Sequence, residues 1–139
     1  MKRILFDTNV VLDVLLDRQP HVEASASLWS AVEAGLSEGM LAAHAVTTIH
    51  YLVRKETGDV KARRIMSAIL RVLGVAAVNG VVVQEALQMH LSDFEDAVTA
   101  AAARLAGCEY IVTRDPKGFR GSPVRALAPE AVMPLLRET

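Results

Sequence analysis

Ile4-Leu5-Phe6-Asp7-Thr8-Asn9 is a short apolar run that stops abruptly on a carboxylate. Such a run, bounded by polar turn residues, reads as a strand buried on both faces. In open α/β sheets, ligands gather at the carboxyl ends of strands of this kind. Asp7 therefore stands where chemistry is expected, and Thr8 and Asn9 turn the chain into a helix. The working expectation is that the other acidic residues that matter are brought to Asp7.

The totals set the frame. The chain has 139 residues, 52% of them apolar and 22% charged, which suits one domain, residues 1–139, with a real core. Disorder is excluded by that balance. Aromatics are only 4%, so Ala, Val and Leu do the filling. A formal net charge of −1 gives no overall basic field, although a local basic rim can still hold phosphates around an acidic site. Cys108 is the only cysteine, which removes a disulfide framework and a thiolate metal cage. Met1-Lys2-Arg3-Ile4-Leu5-Phe6 begins like a signal peptide, but Asp7 interrupts it at once. No apolar run approaches the ~20 residues of a membrane span. A cytoplasmic protein without a membrane partner is expected.

Outward from Asp7, the pattern alternates. Residues 10–16 are apolar nearly all round apart from Asp13, a buried helix whose carboxylate needs a partner. Pro20 suits a helix start, and Val22, Ser25, Leu28, Trp29 and Val32 follow at helical spacing. Residues 39–43 form a short second strand and 44–55 a helix. Gly58 closes that helix, and Asp59 is placed to cap the next one, with Ala62, Ile65, Met66, Ile69 and Leu73 on its inner stripe. Residues 75–78 read as a third strand. Asn79-Gly80 between apolar runs is compatible with a type I′ hairpin or with a strand-to-helix turn; the alternation elsewhere favours the turn. Ser92-Asp93-Phe94-Glu95-Asp96 opens a helix stopped by Gly107. Residues 110–113 are a fourth strand and 124–127 an edge strand. Pro129 starts a last helix, which ends in a short tail. The order β-α-α-β-α-α-β-α-α-β-β-α describes an α/β, three-layer fold, a short parallel β-sheet flanked by helices on both faces.

The carboxylates at helix starts have structural explanations. Ser92 and Glu95 have the spacing of a capping box, with Ser92 as N-cap and Glu95 at N3, and Asp93 gains from the helix dipole. Asp96, three residues after Asp93, shares a face with it, and the two repel. A divalent cation between them makes that pairing tolerable. Asp115 follows the apolar Ile111-Val112 run as Asp7 follows its own strand. If these strands are parallel neighbours, their ends meet on one edge. The helix opened at Asp93 starts on the same edge, provided that it follows a strand or compact turn on that side. Three or four carboxylates without His or Cys describe a hard oxygen site, suited to Mg²⁺ or Mn²⁺ and not to Zn²⁺. Phosphate-ester hydrolysis is the usual use of such a site.

Asp7-Thr8-Asn9-Val10-Val11-Leu12-Asp13, Asp93-Phe94-Glu95-Asp96-Ala97 and Ile111-Val112-Thr113-Arg114-Asp115 together resemble the PIN domain, in particular the bacterial branch related to VapC-type toxins. The resemblance runs from the first strand to Phe119 and the Ala128-Pro129-Glu130 helix start. It implies a parallel-sheet α/β fold that binds Mg²⁺ or Mn²⁺ through clustered acids and cuts RNA. By that resemblance Asp7, Asp96 and Asp115 are the metal-binding and catalytic acids, with Asp93 as an additional neighbour. Asn9 and Thr113 are supporting residues beside the metal. Many PIN nucleases also carry a Glu on the helix after the second strand. Here Thr48 stands at that place, and nothing acidic lies between Gly39 and Lys55. The branch that the chain resembles often lacks this acid too. His50 lies close by as a minor candidate, and Gly118 replaces an acid often seen before Phe119. A thinner metal site follows, one ion rather than two.

An RNA substrate requires cations at the rim, for which Arg114, Lys117 and Arg120 are the first candidates and Arg54 and Lys55 the next. The resemblance further implies a homodimer silenced by a small antitoxin protein. Two other readings stand beside the ribonuclease: a PIN module that binds RNA or protein without cutting, and a phosphatase-like domain with Asp7 as phospho-acceptor. The last wants an acid two residues on, where this chain has Asn9.

Overall fold

The computed structural model describes residues 1–137. The elements are β1 (Arg3–Phe6), α1 (Thr8–Leu15), α2 (Val22–Glu33), β2 (Glu38–Ala42), α3 (Ala43–Thr57), α4 (Asp59–Val72), β3 (Gly74–Ala76), α5 (Gly80–Leu87), α6 (Phe94–Leu105), β4 (Tyr110–Val112), β5 (Arg125–Leu127) and α7 (Pro129–Leu136), with a 3₁₀ turn at Pro116–Phe119. This is the order expected from the pattern. The tail read after the last helix includes residues 138–139, which lie outside the described residues.

All four strand pairings are parallel, and the sheet order is β3-β2-β1-β4-β5. β1 is central, so its two faces are both covered, and Ile4, Leu5 and Phe6 are at most 1% exposed. Alternation along the strand divides them. Ile4 and Phe6 enter one core with Leu28, Leu41, Ile49, Val112 and Val132. Leu5 enters the other with Ile111, Val82 and the alanines of α6. Small side chains at Ala97 and at positions 100–103, all buried, let α6 lie close against the sheet.

The order of the strands is what creates a site. From β1 the chain builds outward through β2 to β3, then returns to the other side of β1 for β4 and β5. The carboxyl ends of β1 and β4 therefore flank the point where the winding reverses, the crevice in which open α/β sheets bind ligands. The register pairs Phe6 with Val112, so Asp7 and Thr113 emerge side by side. α6 runs back antiparallel to β1, because Arg3 at the start of β1 donates to the Ala106 carbonyl just past the end of α6. The N-terminus of α6 thus lies on the same edge as Asp7.

Local readings met two corrections. Asp59 does not cap α4 through its side chain: Gly58 is the N-cap residue, and Asp59 instead accepts from Arg63 Nε at 3.0 Å. Ser92 is not the cap of α6; Asp93 is, its Oδ1 accepting from the Asp96 amide at 3.0 Å. Asp93 takes the cap because its carboxylate reaches the N3 amide as a serine hydroxyl would, and a charged cap also meets the helix dipole. Asn79-Gly80 is the strand-to-helix turn, with Asn79 Oδ1 accepting from Val82 N at 3.1 Å.

Candidate functional site

Asp7 caps α1 and is held on both oxygens. Oδ1 accepts from the Thr8 amide at 2.9 Å and Oδ2 from the Thr113 hydroxyl at 2.8 Å. Thr113 is fully buried, and its oxygen also accepts from the Asp115 amide at 3.1 Å. One hydroxyl therefore ties the acid after β1 to the acid after β4. Asn9 adds a second tie, Oδ1 accepting from the Arg114 amide at 3.3 Å. Burial raises the Asp7 pKa above its ordinary value, and nearby Glu95 raises it further. The bonds from Thr113 and Thr8 and the neighbouring His44 oppose that rise.

Asp96, in the first turn of α6, faces the same crevice. Its pKa is pushed up to about 6, first by burial and then by the negative charges of Asp7, Asp93, Glu95 and Asp115. The space in front of it is kept open by Gly118. A β-carbon there would lie 3.0 Å from Asp96 Oδ2 and 3.1 Å from Asp115 Oδ2. Two carboxylates thus converge on a position that any side chain would obstruct.

Four sequence-predicted acids, Asp7, Asp93, Asp96 and Asp115, accordingly share one edge of the sheet. Asp93 already uses one oxygen as a helix cap. Among the described residues, no three His, Cys, Asp or Glu side chains stand in a preassembled ligand set. The donors suit a hard divalent cation, since all are carboxylate oxygens, and Asp96 and Asp115 both reach the space over Gly118.

The remaining candidates divide. Lys117 and Arg120 are exposed beside Asp115. Arg114 turns away from the acids: its Nε lies 2.9 Å from Oδ2 of the fully buried Asp13, which gives that carboxylate its charge partner. Arg114 is therefore an anchor of α1 as much as a rim cation. Thr48 lies within α3, and its side-chain hydroxyl makes no hydrogen bond among the described residues. His50 lies away from the acids, 3.5 Å from Asp59 between α3 and α4.

Two residues at the crevice were not singled out for chemistry by the sequence. His44, in the first turn of α3 just past β2, has Nε2 3.3 Å from the Thr99 hydroxyl on α6, and its Nδ1 is buried without a hydrogen-bond partner. Glu95, read as a capping residue, is instead close enough to Asp7 and Asp96 to raise both. The signal for His44 was its place immediately after the second strand, on the edge that carries Asp7.

A sequence profile of the PIN domain matches residues 3–117. No curated protein matches at a significant level. Solved structures do. FitAcB from Neisseria gonorrhoeae superposes with a TM-score of 0.74 at 21% identity, covering 91% of this chain and 98% of that one. DNA-bound VapBC from Salmonella typhimurium gives 0.69 at 14%, covering 93% and 99%. The sarcin–ricin loop cleaving toxin VapC20 of Mycobacterium tuberculosis gives 0.61 at 19%, covering 78% and 86%. At these identities the structural likeness speaks for the fold.

Proposed function

The chain belongs to the PIN-domain family, and from that premise we propose that it is a metal-dependent endoribonuclease, the toxin of a toxin–antitoxin pair. The observation that carries the reading is the convergence of Asp96 and Asp115 on Gly118, with the Asp96 pKa pushed up to about 6 first by burial and then by the charges of Asp7, Asp93, Glu95 and Asp115. A fold keeps such repulsion when a positive charge uses it. Asp7, Asp96 and Asp115 would hold Mg²⁺ or Mn²⁺. When bound, that ion supplies Lewis-acid polarisation of the phosphoryl oxygens and activation of water.

The residues of the chain set the geometry. Thr113 orients Asp7 and the start of the Asp115 loop, so the two strand-end acids keep a fixed separation. Asp93 holds the first turn of α6 and with it the position of Asp96. Lys117 and Arg120 receive the flanking phosphates. His44 and Thr99 close the crevice on the β2 side, where this chain has no acid.

The partner reading rests on the neighbours, which include VapBC bound to DNA and a toxin–antitoxin complex from Klebsiella pneumoniae. A small antitoxin covering the crevice and a homodimer of this chain are proposed by analogy. A non-catalytic PIN module that binds RNA or protein is the second reading, favoured by one observation: α3 offers no acid to the crevice. Purified protein, Mn²⁺ and a structured RNA separate the two. Cleavage that disappears in Asp96→Asn supports the nuclease. Intact RNA in both proteins, across a panel of substrates, supports the module.

A further inference from the structure

Cations are not spread evenly over this chain. Residues 54–71 hold six of the 15 Lys and Arg side chains and only two of the 16 acids. The end of α3 and α4 therefore form a basic segment in a protein of net charge −1. Within α4, Ala62, Met66 and Ile69 are buried against the core. Lys61, Arg64, Ala68 and Arg71 recur at spacings of three and four on the opposite side, and all are exposed. The three cations make no ion pair among the described residues, whereas Arg63, off this stripe, pairs with Asp59 at 3.0 Å. Helix stability does not account for the stripe. Lys61 stands in the first turn, where the helix dipole disfavours a cation, and Lys61 and Arg64 are like charges three residues apart. No acid stands three or four residues from any of the three. The row from Lys61 to Arg71 is roughly 15 Å long at the α-helical rise.

Helix α3 links this stripe to the acids. His44 lies in the first turn of α3, against Thr99 of α6. Val46 and Thr47 follow it and share a groove with Arg63, Met66 and Ser67, so the middle of α4 is packed against the crevice end of α3. Arg54 and Lys55 stand roughly 15 Å further along α3 from His44, at the corner where α3 turns into α4, with the Lys55 ammonium 5.4 Å from the centre of the Tyr51 ring. The chemistry of the stripe selects its occupant. A row of unpaired cations matches a chain of regularly repeated anions. Lys61, Arg64, Ala68 and Arg71 include no aromatic ring on which a base could stack, which leaves the phosphates. Protein partners are held by aromatic and apolar anchors, with lysine depleted, and these four positions offer no such anchor. Arg114 is paired with Asp13, so the crevice itself keeps few cations to offset its acids. We propose that the outer face of α4, through Lys61, Arg64 and Arg71, is a docking surface for the phosphate backbone of RNA outside the crevice. Its use rests on the reading of the chain as an RNA-acting PIN protein, but the docking is testable without cleavage.

The test is fluorescence anisotropy of a labelled RNA hairpin with the full chain in EDTA, over a range of KCl concentrations. One variant combines Lys61→Gln, Arg64→Gln and Arg71→Gln, in which glutamine keeps the helix propensity. A control combines Arg18→Gln, Arg125→Gln and Arg137→Gln, which changes the net charge equally elsewhere on the chain. The α4 variant is expected to bind about tenfold more weakly than wild type and to flatten the slope of log K against log salt by about 2–3, with a much smaller change in the control. Arg64→Gln alone should flatten the slope by about 1, which keeps the test intact if the triple variant is unstable. Equal losses in variant and control, unchanged binding, or no RNA binding by wild type would overturn the proposal. So would weakened binding of polyglutamate with RNA binding unaltered, which would assign the face to a protein partner. Cleavage of the same hairpin in Mn²⁺ is measured in parallel. Cleavage by wild type with equal losses in variant and control removes the docking face and leaves the nuclease reading standing. The expected loss of binding without cleavage removes the nuclease and leaves the docking face.

Discussion

Replacing Asp96 by Asn should stabilise the metal-free protein at pH 8 while abolishing its response to Mn²⁺. The carboxyl rises from an ordinary value of 3.8 to about 6 on folding, about two units at roughly 1.4 kcal/mol each. Asp96 is partly exposed, so solvent screening cuts that ~3 kcal/mol substantially. Loss of a negative charge in the first turn of α6 subtracts a further ~0.3–1 kcal/mol. A net gain of about 1 kcal/mol remains, a shift of a few degrees in Tm. The sign follows from linkage: a raised folded pKa means that the native state binds the proton more tightly than the unfolded chain. The cost of the charged form is therefore absent below about pH 4 and fully developed above about pH 6. The assay is urea unfolding in EDTA at pH 8 and pH 4, repeated at pH 8 with saturating Mn²⁺. Asn should lead in the first condition, match wild type in the second, and fall behind in the third, where binding stabilises only the native wild type. An Asn variant equal to or weaker than wild type at pH 8 in EDTA would refute the claim that Asp96 is held in a repulsive cluster.

Gly118→Ala places a methyl group within about 3 Å of both carboxylates. It should weaken Mn²⁺ binding about tenfold by calorimetry while changing unfolding free energy by under ~1 kcal/mol. Thr113→Val removes the hydroxyl that donates to Asp7 and accepts from the Asp115 amide. It should cost about 1–3 kcal/mol in urea unfolding and reduce Mn²⁺ affinity, an effect that an inert core position would not show. Arg114→Gln leaves the buried Asp13 carboxylate without its ion-pair partner and, with the arginine itself partly solvated, should cost about 1–3 kcal/mol in urea unfolding. Asp13→Asn, which removes the charge itself, should cost markedly less, and equal losses would count against the ion pair.

How far the residues announce this depends on distance along the chain. The apolar run before Asp7, the helical stripe around Met66 and Ile69 and the Asn79-Gly80 turn are governed by short-range sterics and periodicity, so they were legible in order and nearly in register. Asp7 and Asp115 were legible for the same reason, each a carboxylate after a buried strand. Capping was less so. Ser92, Asp93 and Asp59 can all accept an amide proton, and which does depends on backbone angles that only the surrounding packing sets. Glu95 was hidden by the same ambiguity, since a capping geometry and a place in an acidic cluster look alike in sequence.

What the sequence alone determined was the kind of elements, their order and the sort of oxygen donors available, because these follow from local propensity and side-chain chemistry. What the tertiary structure decided was which of them meet. The reversal of strand order beside β1 brought Asp115 next to Asp7, and the antiparallel course of α6 brought Asp96 over Gly118. The same packing drew Arg114 aside to the buried Asp13 and set His44 against Thr99. These contacts join residues tens of positions apart, and they exist only because burying both faces of a short parallel sheet leaves its chain few ways to wind.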